Sequence, residues 1–135
     1  MCPDFSRRQI LLATGAGAGS VALLSGCRSG EPPADAPSGE SLIDIAEIDV
    51  GGSTAVESSS GAVVLLTRTG EDEVLGFSAV CTHQGCTVEV GDVEGECPCH
   101  GSRFDLTTGE ATAMPASEPL TQIDVEVRDG QVLAL

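Results

Sequence analysis

The chain has no lysine, no tryptophan and no tyrosine, and its 135 residues include only three phenylalanines and two histidines. Against 21 acidic residues stand six basic ones, all arginine, giving a formal charge of −15. A field of that sign repels polyanions. It excludes nucleic acid and anionic lipid headgroups as partners and favours basic protein surfaces. The shortage of aromatics removes the side chains that usually dominate core energetics. A small domain with so thin a core calls for a staple, either a disulfide or a metal.

Long hydrophobic runs are also scarce. The longest, residues 10–24, has 15 residues and contains Gly15, Gly17 and Gly19. A membrane-spanning helix wants about 20 apolar residues. The run follows Arg7 and Arg8 and ends in Leu24-Ser25-Gly26-Cys27, so residues 1–27 read as an export signal. Ser6-Arg7-Arg8-Gln9-Ile10-Leu11 resembles a twin-arginine signal, which exports proteins already folded. Leu24-Ser25-Gly26-Cys27 resembles a bacterial lipobox, which makes Cys27 the expected lipid anchor. An uncleaved N-terminal anchor is the alternative. Both readings place the rest of the chain outside the cytoplasm, tethered to the bacterial cell membrane. Residues 28–41, with Gly30, Pro32, Pro33, Pro37 and Gly39, are expected to be a disordered linker.

Residues 42–135 carry the signals of short strands. Residues 62–67 are apolar and β-branched, residues 74–80 follow the turn Thr69-Gly70-Glu71, and residues 87–90 alternate. Ile123-Asp124-Val125-Glu126-Val127 also alternates, and Asp129-Gly130 turns it into residues 132–135 as a hairpin. No long segment has helical periodicity. The expected fold class is all-β, an antiparallel sandwich or barrel.

Both histidines and four of the six cysteines fall in two hexapeptides, Cys81-Thr82-His83-Gln84-Gly85-Cys86 and Cys97-Pro98-Cys99-His100-Gly101-Ser102. Thirteen residues separate His83 from Cys97, enough for a strand, a turn and a strand. That spacing can set the two loops side by side at one end of a sheet. One Cys and one His from each would then make a site of two thiolates and two imidazoles. Cys86 and Cys99 remain, and they can pair if the loops face each other in an oxidising compartment. A structural zinc site could use the same four ligands but leaves Cys86 and Cys99 without a role. A domain held by disulfides alone leaves both histidines idle. The acidic stretches, residues 71–73 and 92–96, read as solvated loops.

The paired motif CTHQGC…CPCHGS resembles the Rieske iron–sulfur proteins, in particular the disulfide-containing members found in cytochrome bc complexes and arsenite oxidase small subunits. The resemblance covers about residues 45–135. It implies a Rieske-type antiparallel β-sandwich with a cluster-binding subdomain and one 2Fe–2S cluster. Cys81 and Cys97 would hold one iron, and His83 and His100 the other. Replacing two thiolates by imidazoles raises the potential of such centres to about −150 to +300 mV. The resemblance also implies a Cys86–Cys99 disulfide and a hydrogen bond from Ser102 to a bridging sulfide. Met114-Pro115-Ala116-Ser117-Glu118-Pro119-Leu120 resembles the proline-containing loop that covers the cluster, with Met114 in place of the usual Gly. Two further departures stand out. Gln84 occupies a position that is Leu in many bc-complex members. Phe104 occupies the position of a Tyr found in high-potential members.

The function so implied is one-electron transfer on the outer face of a bacterial membrane, as the iron–sulfur subunit of a quinol–cytochrome c reductase. The implied partners are cytochrome b- or c-type redox proteins, with His100 the candidate contact to quinol. The alternatives are the small subunit of an arsenite-oxidase-like periplasmic enzyme, a free-standing lipoprotein carrier and, in a different class, a zinc-stapled binding module. Ferredoxins of ring-hydroxylating dioxygenases are cytoplasmic and lack the extra cysteine pair, so Cys86, Cys99 and the signal argue against them.

Overall fold

Short antiparallel strands and tight turns build nearly all of residues 33–135, the part that this computed structural model describes. The strands are β1 (Ser41–Asp44), β2 (Ser53–Glu57), β3 (Val63–Arg68), β4 (Val74–Ser78), β5 (Glu89–Val90), β6 (Gly95–Glu96), β7 (Arg103–Phe104), β8 (Ala111–Ala113), β9 (Gln122–Ile123), β10 (Val125–Arg128) and β11 (Gln131–Ala134). Among the described residues the helical structure is one 3-10 turn, Ile45–Glu47, capped by Asp44, whose carboxylate accepts the Ala46 N–H at 2.8 Å. The all-β expectation holds. Three sheets form, in the orders β1-β11-β10, β2-β3-β4-β9 and β5-β6-β7-β8.

β3 explains why the sheets stack as they do. Its run Val63-Val64-Leu65-Leu66-Thr67 is apolar at every position but the last, as a strand covered on both faces requires. Val64 and Leu66 point into a core with Ile45, Ile48, Ile123 and Val132. Leu65 points the other way, into a core with Phe77, Val88, Phe104, Leu106, Leu120 and the cysteines Cys81 and Cys97. The first core joins the first two sheets. The second joins the middle sheet to the third, a subdomain inserted between β4 and β9. The thiols belong to that second core.

The alternating stretch 123–127 is not one strand. It breaks at Asp124: β9 pairs with β4 in the middle sheet, and β10 pairs with β11 in the first. The chain changes sheets there, and Asp124 O accepts the Leu135 N–H at 2.9 Å. The crossing runs so close over β4 that only glycine fits beneath it. A Cβ at Gly76 would lie 2.7 Å from Ile123 O and 3.0 Å from Val125 Cγ1. The Asp129-Gly130 turn is as expected, with φ of 52° and 77° at the two positions.

Residues 1–32, with the twin-arginine-like segment and Cys27, lie outside the described residues. The last part of the expected disordered linker is seated on the domain. Gly39 N–H donates to Ala134 O at 2.6 Å, and Ala134 N–H donates to Glu40 O at 3.0 Å, which extends the β1–β11 ladder toward the N-terminus. Ser60 Oγ donates to Asp35 O at 3.1 Å, and Ala36 packs on the first core. Backbone pairing needs no apolar side chain, so composition alone gave no sign of it.

Three turns in and around the third sheet repeat one backbone pattern. Cys81 N–H donates to Cys86 O and Gly85 N–H to Cys81 O, both at 2.8 Å. Cys97 N–H donates to Ser102 O at 2.8 Å and Gly101 N–H to Cys97 O at 2.9 Å. Asp105 N–H donates to Glu110 O at 2.9 Å and Gly109 N–H to Asp105 O at 2.8 Å. In each, the fifth residue is a glycine with φ between 76° and 78°, the left-handed region where a side chain is strained. The third turn bears no ligand and is held by Asp105 instead. Its carboxylate accepts the Thr107 hydroxyl and N–H, both at 2.6 Å, and the Thr108 N–H at 3.1 Å. The Thr107 bonds hold the Asp105 pKa below the usual aspartate value.

Such a depressed pKa stabilises the fold fully above the unfolded-state value of about 3.9. The contribution is lost as pH falls through the lower native value. Asp105→Asn should therefore lose about 1 kcal/mol at neutral pH. The deficit should shrink toward zero in acid, as read by urea unfolding of both proteins from pH 7 to pH 3.

Candidate metal centre

The first two of these turns carry the cysteines and histidines and lie between β4 and β5 and between β6 and β7. Each turn buries its first residue and presents the next three outward. Cys81 and Cys97, the two first residues, are each 2% exposed. Their thiols make a side-chain contact, and neither is in a disulfide. Burial pushes the Cys97 thiol above its ordinary value and the neighbouring Cys81 raises it further, while backbone N–H groups of Cys99 and His100 pull it back. Amides aimed at a sulfur are suited to hold it as a thiolate.

The two imidazoles come together from opposite turns. The His83 and His100 rings lie 4.8 Å apart, centroid to centroid, and nearly perpendicular at 86°. His100 is exposed and His83 half-buried. His83 Nδ1 is buried and has no hydrogen-bond partner in the protein. A buried ring nitrogen without a partner is rare and asks for a ligand. Two adjoining thiols and two adjoining imidazoles, one with such a nitrogen, are a donor set that soft transition metals favour. The residues present fit an iron–sulfur group.

Cys86 and Cys99 form the disulfide that the resemblance implied, 13 residues apart in the chain. It ties the first turn to the second. The Cys97 sulfur lies beside it, with the sulfurs of Cys86, Cys97 and Cys99 all within 4.8 Å of one another.

Residues 114–120 are tied to both turns. Ser102 is fully buried, and its Oγ accepts the Ala116 N–H at 3.0 Å. That leaves the Ser102 hydroxyl proton free to donate elsewhere. Thr82 Oγ1 donates to Glu118 O at 2.8 Å. Sequence reasoning singled out Ser102 and passed over Thr82, whose partner is a backbone carbonyl 36 residues away. Phe104 is buried in the core that holds Cys81 and Cys97. Gln84 is exposed. It borders an open cleft of about 770 Å³ lined also by Ala34, His83, Glu118 and Thr121.

The sequence matches the Rieske 2Fe-2S domain family over residues 41–124, and the chain belongs to that family. It is 31% identical to the cytochrome b6-f complex iron-sulfur subunit 2 of Nostoc sp. (strain PCC 7120 / SAG 25.82 / UTEX 2576), over 96% of this chain and 84% of that one. It is 39% identical to the cytochrome b6-f complex iron-sulfur subunit of Prochlorococcus marinus (strain NATL1A) over 62% of this chain, and there it spans about half, 49%, of the relative's length. Two solved structures share the fold. The cyanobacterial plasma membrane Rieske protein PetC3 from Synechocystis PCC 6803 aligns with a TM-score of 0.58 at 24% identity, covering 73% of this chain and 99% of that one. The ferredoxin of carbazole 1,9a-dioxygenase from Nocardioides aromaticivorans IC177 aligns with a TM-score of 0.54 at 28% identity, covering 73% and 97%. The protein is a Rieske electron carrier and binds one 2Fe–2S cluster.

Removing the disulfide should leave both thiols and both imidazoles in the chain but free the two turns from each other. For a loop of this length, Cys99→Ser should lower stability by roughly 3 kcal/mol. Denaturant unfolding of the wild type and the variant, both without added reductant, measures the difference.

Proposed function

We propose that Cys81 and Cys97 hold one iron of the cluster and His83 and His100 the other. We further propose that the domain serves as the iron–sulfur subunit of a cytochrome bc-type quinol–cytochrome c reductase, on the outer face of a bacterial membrane. The observation that supports the ligand assignment is the unpartnered, buried Nδ1 of His83, whose ring meets that of His100, on the same two turns that bury the Cys81 and Cys97 thiols. When bound, the cluster supplies one-electron redox chemistry. The chain's own residues do the rest. Cys81 and Cys97 bind from within the core, where water is excluded, and the amides of Cys99 and His100 favour the Cys97 thiolate. His100, the exposed imidazole, is placed to meet a docking quinol and to accept its proton. The exposed Gln84 gives that rim a polar border. The disulfide and the 114–120 segment keep the turns in register while the charge changes.

The membrane setting rests on the twin-arginine-like and lipobox-like segments, together with the family of the relatives. The cysteine pair favours this setting over a dioxygenase ferredoxin. Purified protein is expected to be reddish brown with equal amounts of iron and acid-labile sulfide, and His83→Ser should lose both. Solubilised from its native membrane, it should co-purify with b-type haem. Co-purification with a molybdenum subunit would move it to the arsenite-oxidase-like alternative. A colourless protein with stoichiometric zinc would end the iron–sulfur assignment.

The potential tests the roles of two further residues. A hydrogen-bond donor to cluster sulfur stabilises the reduced state more than the oxidised one. One such bond is worth about 1 kcal/mol, which for one electron is on the order of 50 mV. Ser102→Ala should lower the potential by that amount, and Phe104→Tyr should raise it. Voltammetry of the two variants gives the answer directly; a Phe104→Tyr potential at or below wild type would show that residue 104 does not face the cluster.

A further inference from the structure

The Cys97 sulfur sits within 4.8 Å of both sulfurs of the Cys86–Cys99 disulfide. A thiol beside a disulfide is the arrangement for thiol–disulfide exchange, which passes through attack of one sulfur on another. Ligation to iron would occupy the Cys97 sulfur and withhold it from that attack. We propose that loss of the cluster lets Cys97 attack Cys86 Sγ, converting the Cys86–Cys99 disulfide into Cys86–Cys97 and releasing Cys99 as a free thiol.

The step balances without any oxidant. The Cys97–Cys86 bond forms as the Cys86–Cys99 bond breaks. Cys97 gives up a proton to water, and the departing Cys99 sulfur takes one up. Among the described residues two free thiols stand before the step, Cys81 and Cys97, and two after it, Cys81 and Cys99.

The direction of attack follows from the chain. Attack on Cys99 would close a ring across Pro98 alone, between residues two apart. Attack on Cys86 expels the Cys99 sulfur, and Cys99 is the exposed partner while Cys86 is half-buried. The new bridge also spans nearly the same hairpin as the old one. The chain-entropy benefit of a disulfide changes only slowly with loop length, so little stapling is lost. The exchange consumes a proposed ligand. It therefore acts as a latch: cluster-free protein locks itself out of reloading until a thiol reductant resets the bridge.

This inference rests on the assignment of Cys97 as a ligand, and the experiment separates the two. The starting material is the full chain, with iron and labile sulfide measured first. Iron is then stripped by a chelator without oxygen or added thiol. Samples are quenched in acid over time, alkylated with N-ethylmaleimide under denaturing conditions and cleaved at Glu. Cleavage after Glu96 leaves Cys97 and Cys99 on one peptide, where fragmentation locates the label. Loaded protein should give Cys86–Cys99 alone. Stripped protein should go over to mainly Cys86–Cys97 with labelled Cys99, at an unchanged count of free thiols. Cys81→Ser, which keeps the attacking thiol, should show the new bridge as well, and Cys97→Ser should keep Cys86–Cys99 throughout. Persistence of Cys86–Cys99 in stripped protein, dominance of any other pairing, or loss of Cys86–Cys99 in Cys97→Ser would overturn the proposal. Starting protein without iron and sulfide would overturn the ligand assignment instead, and its own disulfide map would still decide the exchange.

Discussion

Everything at the site depends on one hydrogen-bonding pattern, in which the first amide of a six-residue turn donates to the sixth carbonyl. In the two cysteine-bearing turns that closure goes with a buried first residue followed by three exposed or half-buried ones. It also forces a left-handed residue at the fifth position, hence Gly85 and Gly101. With it, a thin core can bury two thiols and still raise two imidazoles at its surface. Without it, the cysteines and histidines would be four residues on loops with no reason to converge. The Asp105 turn makes the same closure with a carboxylate cap and no ligand, which marks the pattern as a general solution of the backbone rather than a product of metal binding.

The site was legible in the sequence to an unusual degree, because its chemistry demands residue types that the chain hardly uses elsewhere, four of its six cysteines included. All the histidine lies there, and the two turns were bounded by their own Cys, Gly and Ser. The strand of residues 62–67 and the Asp129-Gly130 turn were also readable, since each rests on local preference. Three things were not. The break at Asp124 was hidden because Ile-Asp-Val-Glu-Val alternates alike in one strand or two. β6 and β7, of two residues each, are too short to carry a period. The seating of residues 39 and 40 depends on backbone pairing with β11, which leaves no mark in composition.

Charge is distributed as lopsidedly as the sequence implies. The three arginines among the described residues are all engaged. Arg68 donates to the carbonyls of Ile45, Ile48, Gly70 and Glu71, Arg103 lies 3.6 Å from Glu96 across the β6–β7 pair, and Arg128 pairs with Glu126. None is left to relieve the acidic surface. An approaching redox protein therefore meets a field that selects for basic faces and weakens with salt.

Ala34, near the start of the described chain, lines the cleft beside His83 and Gln84. The polypeptide thus enters the domain next to its redox end. A body hung from a point beside its working tip can turn through a wide arc while the tip hardly moves, because the lever arm between pivot and tip is short. Attachment at the opposite end would sweep the same tip across the full length of the domain. Were the domain tethered through its N-terminal segment, as proposed, moving this site between a donor and an acceptor would require the pivot itself to travel.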